Sequence, residues 1–337
     1  MKVIIQIPCF NEEGSIPITL KELPRQLAGV DEVEWLIIDD GSQDKIVEKA
    51  IAGGVDYIIS HINNLGLAQA FLSGMTASIN FGADIIVNTD ADNQYCAKDI
   101  QKLIDPILDR QAEYVIGTRP ISDIDHWSPL KKKLQFLGSW VVRKAAKTNV
   151  VDAPSGFRAI TRSAAMRLHV FNRYTYTIET IIQAGHLKIP ILCVPIRTND
   201  EIRPSRLVSS ISRYLQRSSS IIIRSIMTYD PLRFFLIPAA ALLTATLILG
   251  LRYLYYFFLG EGVGHIQGLI LALAFFILGT AFLIVGLLSD LIAVNRQILE
   301  EVAHRLRNLE SQQSEHLSQS SEHAKVFNRA YLTYKRN

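Results

Sequence analysis

A chain of 337 residues has room for two average domains, and its 35 basic and 32 acidic residues, a net charge of +3, are too evenly matched for a nucleic-acid-binding protein. The 49% apolar and 20% charged fractions look globular in aggregate, yet apolar residues crowd into the last third, which separates a soluble part from a membrane part. Cys9, Cys96 and Cys193 are far apart, form no CxxC and have no histidine nearby at metal-ligand spacing, so buried free thiols are expected.

The first apolar run, Val3–Pro8, is shorter than the roughly 7 to 15 residues of a signal-peptide core, and Asn11, Glu12 and Glu13 follow at once. It reads as a strand, and residues 1 to about 230 are expected in the cytosol with reduced thiols. Further strands are predicted over Trp35–Asp40, Asp56–Ser60, Asp84–Thr89 and Tyr114–Gly117, with helices over Gly14–Leu27, Asp44–Ala52, Leu67–Asn80 and Cys96–Arg110 between them. This βαβ rhythm predicts an α/β domain with a mostly parallel, doubly covered sheet. A basic amphipathic stretch then runs from Leu130 to Lys147, followed by a loop at Asp152–Gly156, strands at Phe157–Thr161 and Ile189–Pro195, and a short helix at Thr177–Ala184.

Past the sheet, Arg206, Arg213, Arg217 and Arg224 fall on one stripe at about 100° per residue, while Leu207, Ile211, Leu215 and Ile222 lie toward another face. That pattern suits one or two helices at a membrane surface, over 206–233. Phe234–Leu251 and Ile266–Ser289 carry no charged residue, and a span needs about 20 mostly apolar residues, so a hairpin of two transmembrane helices is predicted within 234–293. Arg224 and Arg233 before it and Arg296, Arg305 and Arg307 after it place both flanks in the cytoplasm by the positive-inside rule. The remaining 294–337 reads as a cytoplasmic helical and polar tail, and Ile298, Val302, Leu306 and Leu309 at helical spacing leave room for a homo-oligomer.

No glycine-rich turn follows the first strand and no GxxxxGK[ST] occurs, which excludes a dinucleotide-binding domain and a P-loop. The strand ends carry acids and amides instead: Asn11-Glu12, Asp39-Asp40-Gly41-Ser42 and Asp90-Ala91-Asp92-Asn93-Gln94. Ligands of open α/β sheets bind beyond the carboxyl ends of the strands. Asp90 and Asp92, two apart on an extended segment, can address one diphosphate through Mg²⁺ or Mn²⁺, with Gln94 adding an oxygen.

Taken together, IPCFNEE, IDDGSQD and NTDADNQY at these intervals resemble family 2 glycosyltransferases with the GT-A fold, over about residues 1 to 210. Gly117-Thr118-Arg119, Ser155-Gly156-Phe157-Arg158 and Val194-Pro195-Ile196 make the chain look closest to polyprenyl-phosphate glycosyltransferases such as dolichyl-phosphate mannose synthases. The resemblance implies a GT-A catalytic domain over 1–205. In it Pro8, Asn11, Glu12, Asp39 or Asp40, and Asp90 hold the nucleotide of a UDP- or GDP-sugar, and Asp90, Asp92 and Gln94 hold the metal. It also implies catalytic places for Arg119, Arg158 and Asp152, the last standing in for an aspartate that some relatives put directly before Phe-Arg, where this chain has Gly156. Arg203 or Arg206 is expected to take the acceptor phosphate, because arginine forks match phosphate oxygens.

The expected activity is inverting transfer of a sugar to polyprenyl phosphate at the cytoplasmic face of a membrane. A lipid phosphate is already nucleophilic near neutral pH, so aligning it and stabilising the leaving diphosphate matter more than a general base. A processive polysaccharide synthase would add a Gln-x-x-Arg-Trp motif, and Trp35, Trp127 and Trp140 leave no tryptophan after the catalytic domain. A lipid-linked diphosphate sugar as acceptor and a non-catalytic membrane scaffold are the other readings, and intact Asp90 and Asp92 speak against the scaffold.

Overall fold

In the computed structural model, residues 1–121, 129–170, 176–199, 220, 223–224, 227, 230–320 and 332–335 are described. The chain divides into two compact units, 1–222 with 304–337, and 223–303.

The first unit alternates β1 (Lys2–Cys9), α1 (Ile16–Glu22), β2 (Glu32–Asp39), α2 (Ile46–Ala52), β3 (Tyr57–Ser60), α3 (Leu67–Asn80), β4 (Ile85–Asn88), α4 (Ile100–Leu108), β5 (Tyr114–Thr118) and α5 (Pro129–Ala146). It continues through β6 (Arg158–Thr161), α6 (Arg162–Arg167), α7 (Thr177–His186) and β7 (Ile191–Pro195). β1 is buried from Val3 to Cys9, as a strand covered on both faces must be, which is why it reads as a near-continuous apolar run. Two predicted helices are shorter than their apolar patterns. α1 stops at Glu22 because Leu23 precedes Pro24, and the proline ring pushes the residue before it into the extended region, here φ −67° and ψ 135°. The 96–110 segment divides into a 3₁₀ turn at Ala97–Asp99 and then α4.

The sheet order is β7-β5-β6-β4-β1-β2-β3-β8. β1 runs parallel to β2 and β4, β2 parallel to β3, and β5 parallel to β7. β6 is the exception, antiparallel between β4 and β5 with Arg158 opposite both Asn88 and Ile116. Its amino end therefore lies at the rim where β4 and β5 have their carboxyl ends, and Ser155–Arg158 joins the acidic clusters there. β8 (Leu332–Lys335), in a tail expected to be helical and polar, pairs antiparallel with β3 and covers that strand's open edge. This mostly parallel mixed sheet with helices on both faces is a GT-A fold.

The second unit is a helical hairpin made of α8 (Pro231–Phe258) and the part of α9 (Ile266–Ser320) up to Ala303, and Pro231–Phe258 and Val263–Arg296 are long and apolar enough to cross a membrane. Their outward side chains stay exposed, such as Leu247 at 61% and Ile270 at 63%, so no protein core accounts for their apolarity. Small residues seven apart carry the packing of the pair. Thr246 Oγ1 donates to the Ala272 carbonyl at 3.3 Å, and a Cβ at Gly279 or Gly286 would stand 3.0 Å from Leu243 or Phe235. These contacts run antiparallel, so the outer ends of the two helices lie at one end of the hairpin.

Candidate active site

The loops after β1 and β2 are sewn together at the carboxyl rim. Asn11, at φ 54°, donates its N–H to Ser42 Oγ at 2.9 Å and accepts the Gln43 N–H on Oδ1 at 2.9 Å. Glu13 N–H donates to Asp44 Oδ2 at 2.8 Å, and Glu13 Oε2 accepts the Lys45 N–H at 3.1 Å. Pro8 is buried at the end of β1, and the buried Glu12 accepts the Ser15 hydroxyl at 2.8 Å.

Asp39 and Asp40 are neighbours with different work. Asp40 Oδ1 meets His61 Nδ1 at 2.7 Å and accepts the Leu65 N–H at 2.9 Å, while Oδ2 accepts the Gly66 N–H at 2.8 Å. His61 Nε2 meets Ser73 Oγ at 2.9 Å, so Asp40 latches the loop before α3 onto the end of β2. Gly41 lies under that loop at φ 74°, and a Cβ there would come within 2.6 Å of the Asn63 carbonyl carbon. Asp39 Oδ1 accepts the Ser42 N–H at 2.9 Å, beside the stitched loops that follow β1 and β2.

The loop after β4 is held by its backbone, which leaves its carboxylates to the rim. Thr19 Oγ1 on α1 donates to the Ala91 carbonyl at 2.9 Å, Asn199 Nδ2 to the Asn93 carbonyl at 3.0 Å, and Asn199 N–H to the Gln94 carbonyl at 2.8 Å. Asp92 Oδ1 accepts the Gln94 N–H at 3.2 Å, and Asn93 takes the left-handed conformation at φ 58° that lets the chain turn. Tyr95 returns inward, where its hydroxyl accepts the Gly156 N–H at 2.9 Å and hydrogen-bonds Asp90. Desolvation first, and then the charge of Asp92, raise the Asp90 carboxyl to about 7 against the opposing pull of Arg119.

Arg119, at the end of β5, clamps Asp152 with Nε at 2.7 Å and Nη2 at 2.9 Å, and Gln135 Nε2 of α5 adds a bond to Asp152 Oδ1 at 3.1 Å. Asp152 is wholly buried, so it orients Arg119 rather than standing open to a reacting group. Arg158 lies beneath the rim instead of on it. Its guanidinium is fully buried and donates to the carbonyls of Ser155, Ala153 and Thr177 at 2.7, 2.8 and 3.1 Å, to Thr180 Oγ1 at 2.9 Å and to the Tyr114 hydroxyl. It braces the 152–156 loop against α7. Gly156 lies against the acids: a Cβ there would stand 3.0 and 3.1 Å from the Asp90 oxygens. Asn88 supports this floor, donating to the Gly156 carbonyl at 2.8 Å and the Tyr176 hydroxyl at 2.9 Å while accepting from Gln6 at 2.9 Å.

The structure thus brings Pro8, Asn11, Glu12, Asp39, Asp90, Asp92, Gln94 and Arg119 to one rim, with Asp40, Asp152 and Arg158 bracing it. Arg203 and Arg206 lie outside the described residues. Tyr95 and Asn199 are not assigned a role from the sequence. Tyr95 ends the acidic motif and was legible as part of it, whereas Asn199 gave no local signal. Among the described residues no three His, Cys, Asp or Glu side chains converge. The crowded pair Asp90 and Asp92 suits a hard divalent cation that takes its other oxygens from a bound phosphate and water. With Arg119 nearby, such a rim can hold a diphosphate and stabilise it as a leaving group.

The sequence profile described as Glycosyl transferase family 2 matches residues 4–174. The UDP-N-acetylglucosamine–dolichyl-phosphate N-acetylglucosaminyltransferase of Methanococcus voltae is 33% identical over 58% of this chain and 85% of its own. The undecaprenyl-phosphate mannosyltransferase of Micrococcus luteus is 26% identical over 58% of this chain and 83% of its own. Among solved structures, glucosyl-3-phosphoglycerate synthase from Mycobacterium tuberculosis, in complex with Mn²⁺, UDP-glucose and phosphoglyceric acid, superposes with a TM-score of 0.52 over 68% of this chain and 79% of its own. At 18% identity that likeness is one of fold.

Proposed function

The chain belongs to glycosyl transferase family 2, and from that premise we propose that it moves a sugar from a UDP- or GDP-sugar to a polyprenyl phosphate, with inversion, at the cytoplasmic face of a membrane. The observation that carries the reading is the convergence of Asp39, Asp90, Asp92 and Arg119 on one rim of a chain that also carries two apolar helices. The names of the Methanococcus and Micrococcus relatives, both transferases to a polyprenyl phosphate, support the acceptor.

Asn11, Glu12 and Asp39, with Pro8 beneath them, form the wall for base and ribose, and Asp40 keeps that wall in place through His61. Asp90, Asp92 and Gln94 hold Mg²⁺ or Mn²⁺, which when bound offsets the charge of the donor diphosphate. Arg119, fixed by Asp152, faces the same phosphates and stabilises the negative charge that grows as the sugar departs. The acceptor phosphate attacks the anomeric carbon from the opposite side and inverts it, needing alignment rather than deprotonation. Arg203 or Arg206 captures that phosphate. The hairpin holds the enzyme in the bilayer with both chain ends in the cytoplasm, and α9 offers a surface for self-association.

The test is to incubate purified protein and undecaprenyl phosphate with a panel of labelled UDP- and GDP-sugars and to analyse the lipid extract. One labelled, alkali-stable lipid monophosphate sugar is expected. Label found only in a lipid diphosphate or in water-soluble glycan would overturn the acceptor.

A further inference from the structure

Helix α5 is inverted. Its inward face carries Gln135 and Ser139 along with Val142 and Ala146, all buried, while Phe136, Leu137 and Trp140 stand 48%, 56% and 48% exposed. At about 100° per residue these three fall within one sector of ~100°, so they form a single apolar patch. The inversion has a cause on the inner side, where Gln135 bonds Asp152 and Ser139 Oγ accepts the Ala153 N–H at 3.3 Å. The site claims the polar face, and the outer face has nothing to gain from water.

The patch has basic ends. Lys132 lies one turn before Phe136 and Lys144 one turn after Trp140, and Lys147 follows just past the end of the helix, with Lys144 and Lys147 exposed. No acidic residue occurs from Pro129 to Val151. A tryptophan in an apolar patch between lysines suits the headgroup boundary of an anionic bilayer, where the ring sits at the interface and the ammonium groups meet lipid phosphates.

We propose that the outer face of α5 docks on the membrane through Phe136, Leu137 and Trp140, giving the first unit a membrane contact of its own in addition to the anchor that the hairpin supplies to the chain. This rests on reading α8 and α9 as membrane spans, and it ties the membrane directly to the helix that orients Asp152 and Arg119.

The test uses the full chain in nanodiscs that hold one copy each, made of phosphatidylcholine and phosphatidylglycerol, with and without bromine on the acyl chains. Trp140 emission is taken as the difference between the wild type and Trp140→Phe, which leaves Trp35 and Trp127 in place. It should lose about half its intensity in brominated discs, as an interfacial tryptophan does. A Leu247→Trp variant, at an exposed position midway along α8, reports on the span itself. Quenching at position 247 with none at Trp140 overturns the docking and spares the spans, and quenching at neither overturns both. If Trp140 is unquenched in discs but becomes shielded from iodide as protein concentration rises in detergent, the patch joins two copies of the chain, and the membrane assignment falls.

Discussion

Arg119 grips both carboxylate oxygens of Asp152, through Nε at 2.7 Å and Nη2 at 2.9 Å, in a pair whose acid is fully buried. Burial pulls the arginine down, but Asp152 outweighs it and holds the guanidinium above its ordinary range. Asp152→Asn should leave Arg119 poorly fixed. Turnover is expected to fall by about tenfold to a hundredfold, and unfolding free energy by about 3 kcal/mol, the scale for a broken buried ion pair. A pH–rate profile separates this from general-base catalysis. The residual activity of the variant should keep the acidic limb of the wild type, and loss of that limb would restore Asp152 as the base.

Asp90, raised to about 7 by desolvation and by Asp92, must lose its proton to bind a cation. Mn²⁺ affinity, followed by calorimetry, should therefore fall by about tenfold per pH unit below 7 and level off above it. The same shift makes the metal-free protein lose stability as pH rises from the ordinary aspartate value toward 7, because the folded state favours the protonated acid. Mn²⁺ should recover that loss as a rise in Tm at neutral pH. Asp92→Asn should remove most turnover without unfolding the protein, and full activity of this variant, or of the wild type in chelator, would sink the metal assignment.

Gly156→Ala tests the floor of the site with one methyl group. Gly156 does not take a left-handed conformation, so alanine strains no backbone; its Cβ crowds the Asp90 oxygens at 3.0 and 3.1 Å and the Tyr176 hydroxyl at 3.1 Å. Turnover and Mn²⁺ affinity should both drop, by about tenfold or roughly 1.4 kcal/mol. Unchanged Mn²⁺ binding in this variant would mean that Asp90 moves aside freely.

Asp99 anchors the segment that leads out of β7. Burial pulls its carboxyl upward, but hydrogen bonds from the Arg197 side chain and backbone and from Lys102 prevail and hold it at about 2. Its folded value is depressed, so its contribution to stability is present above the ordinary aspartate range and is lost as pH falls toward 2. Asp99→Asn should lower Tm at neutral pH and flatten the acid side of the stability curve between about pH 4 and 2. An acid limb identical to that of the wild type would refute the anchor.

Arg203→Ala or Arg206→Ala should raise the acceptor KM or lower kcat enough to cost about tenfold in kcat/KM, roughly 1.4 kcal/mol, with donor affinity unchanged by calorimetry. A plain lipid anchor predicts near silence for either single change, since each arginine adds on the order of 1 kcal/mol of surface attraction at most.

The parallel half of the sheet was legible because β1, β2 and β4 are buried on both faces and each ends in a polar cluster that a core strand has no use for. The acids of the rim could be named for the same reason. Their division of labour could not: Asp39 and Asp40 are adjacent in sequence, and only the fold of the loop at Leu65 and Gly66 decides which carboxylate serves the scaffold. Arg158 misled because a motif carries no burial, and its five partners come from three separate segments. The outward turn of Phe136, Leu137 and Trp140 was equally hidden, since their spacing is that of a core-facing helix.

The latch of Asp40 on His61 and on the loop before α3 separates heritable risk from heritable opportunity along two consecutive codons. A change at Asp40 strikes the bonds to His61, Leu65 and Gly66 at once, so variants there are expected to lose stability before any effect on the donor is read. At Asp39 the scaffold gives up a single cap on Ser42, so with Asp39 in the proposed donor wall the same mutational step should leave the fold intact and change that wall alone. A library built to retarget the donor gains most by randomising Asp39 with Asn11 and Glu12 while holding Asp40, Gly41 and His61 fixed.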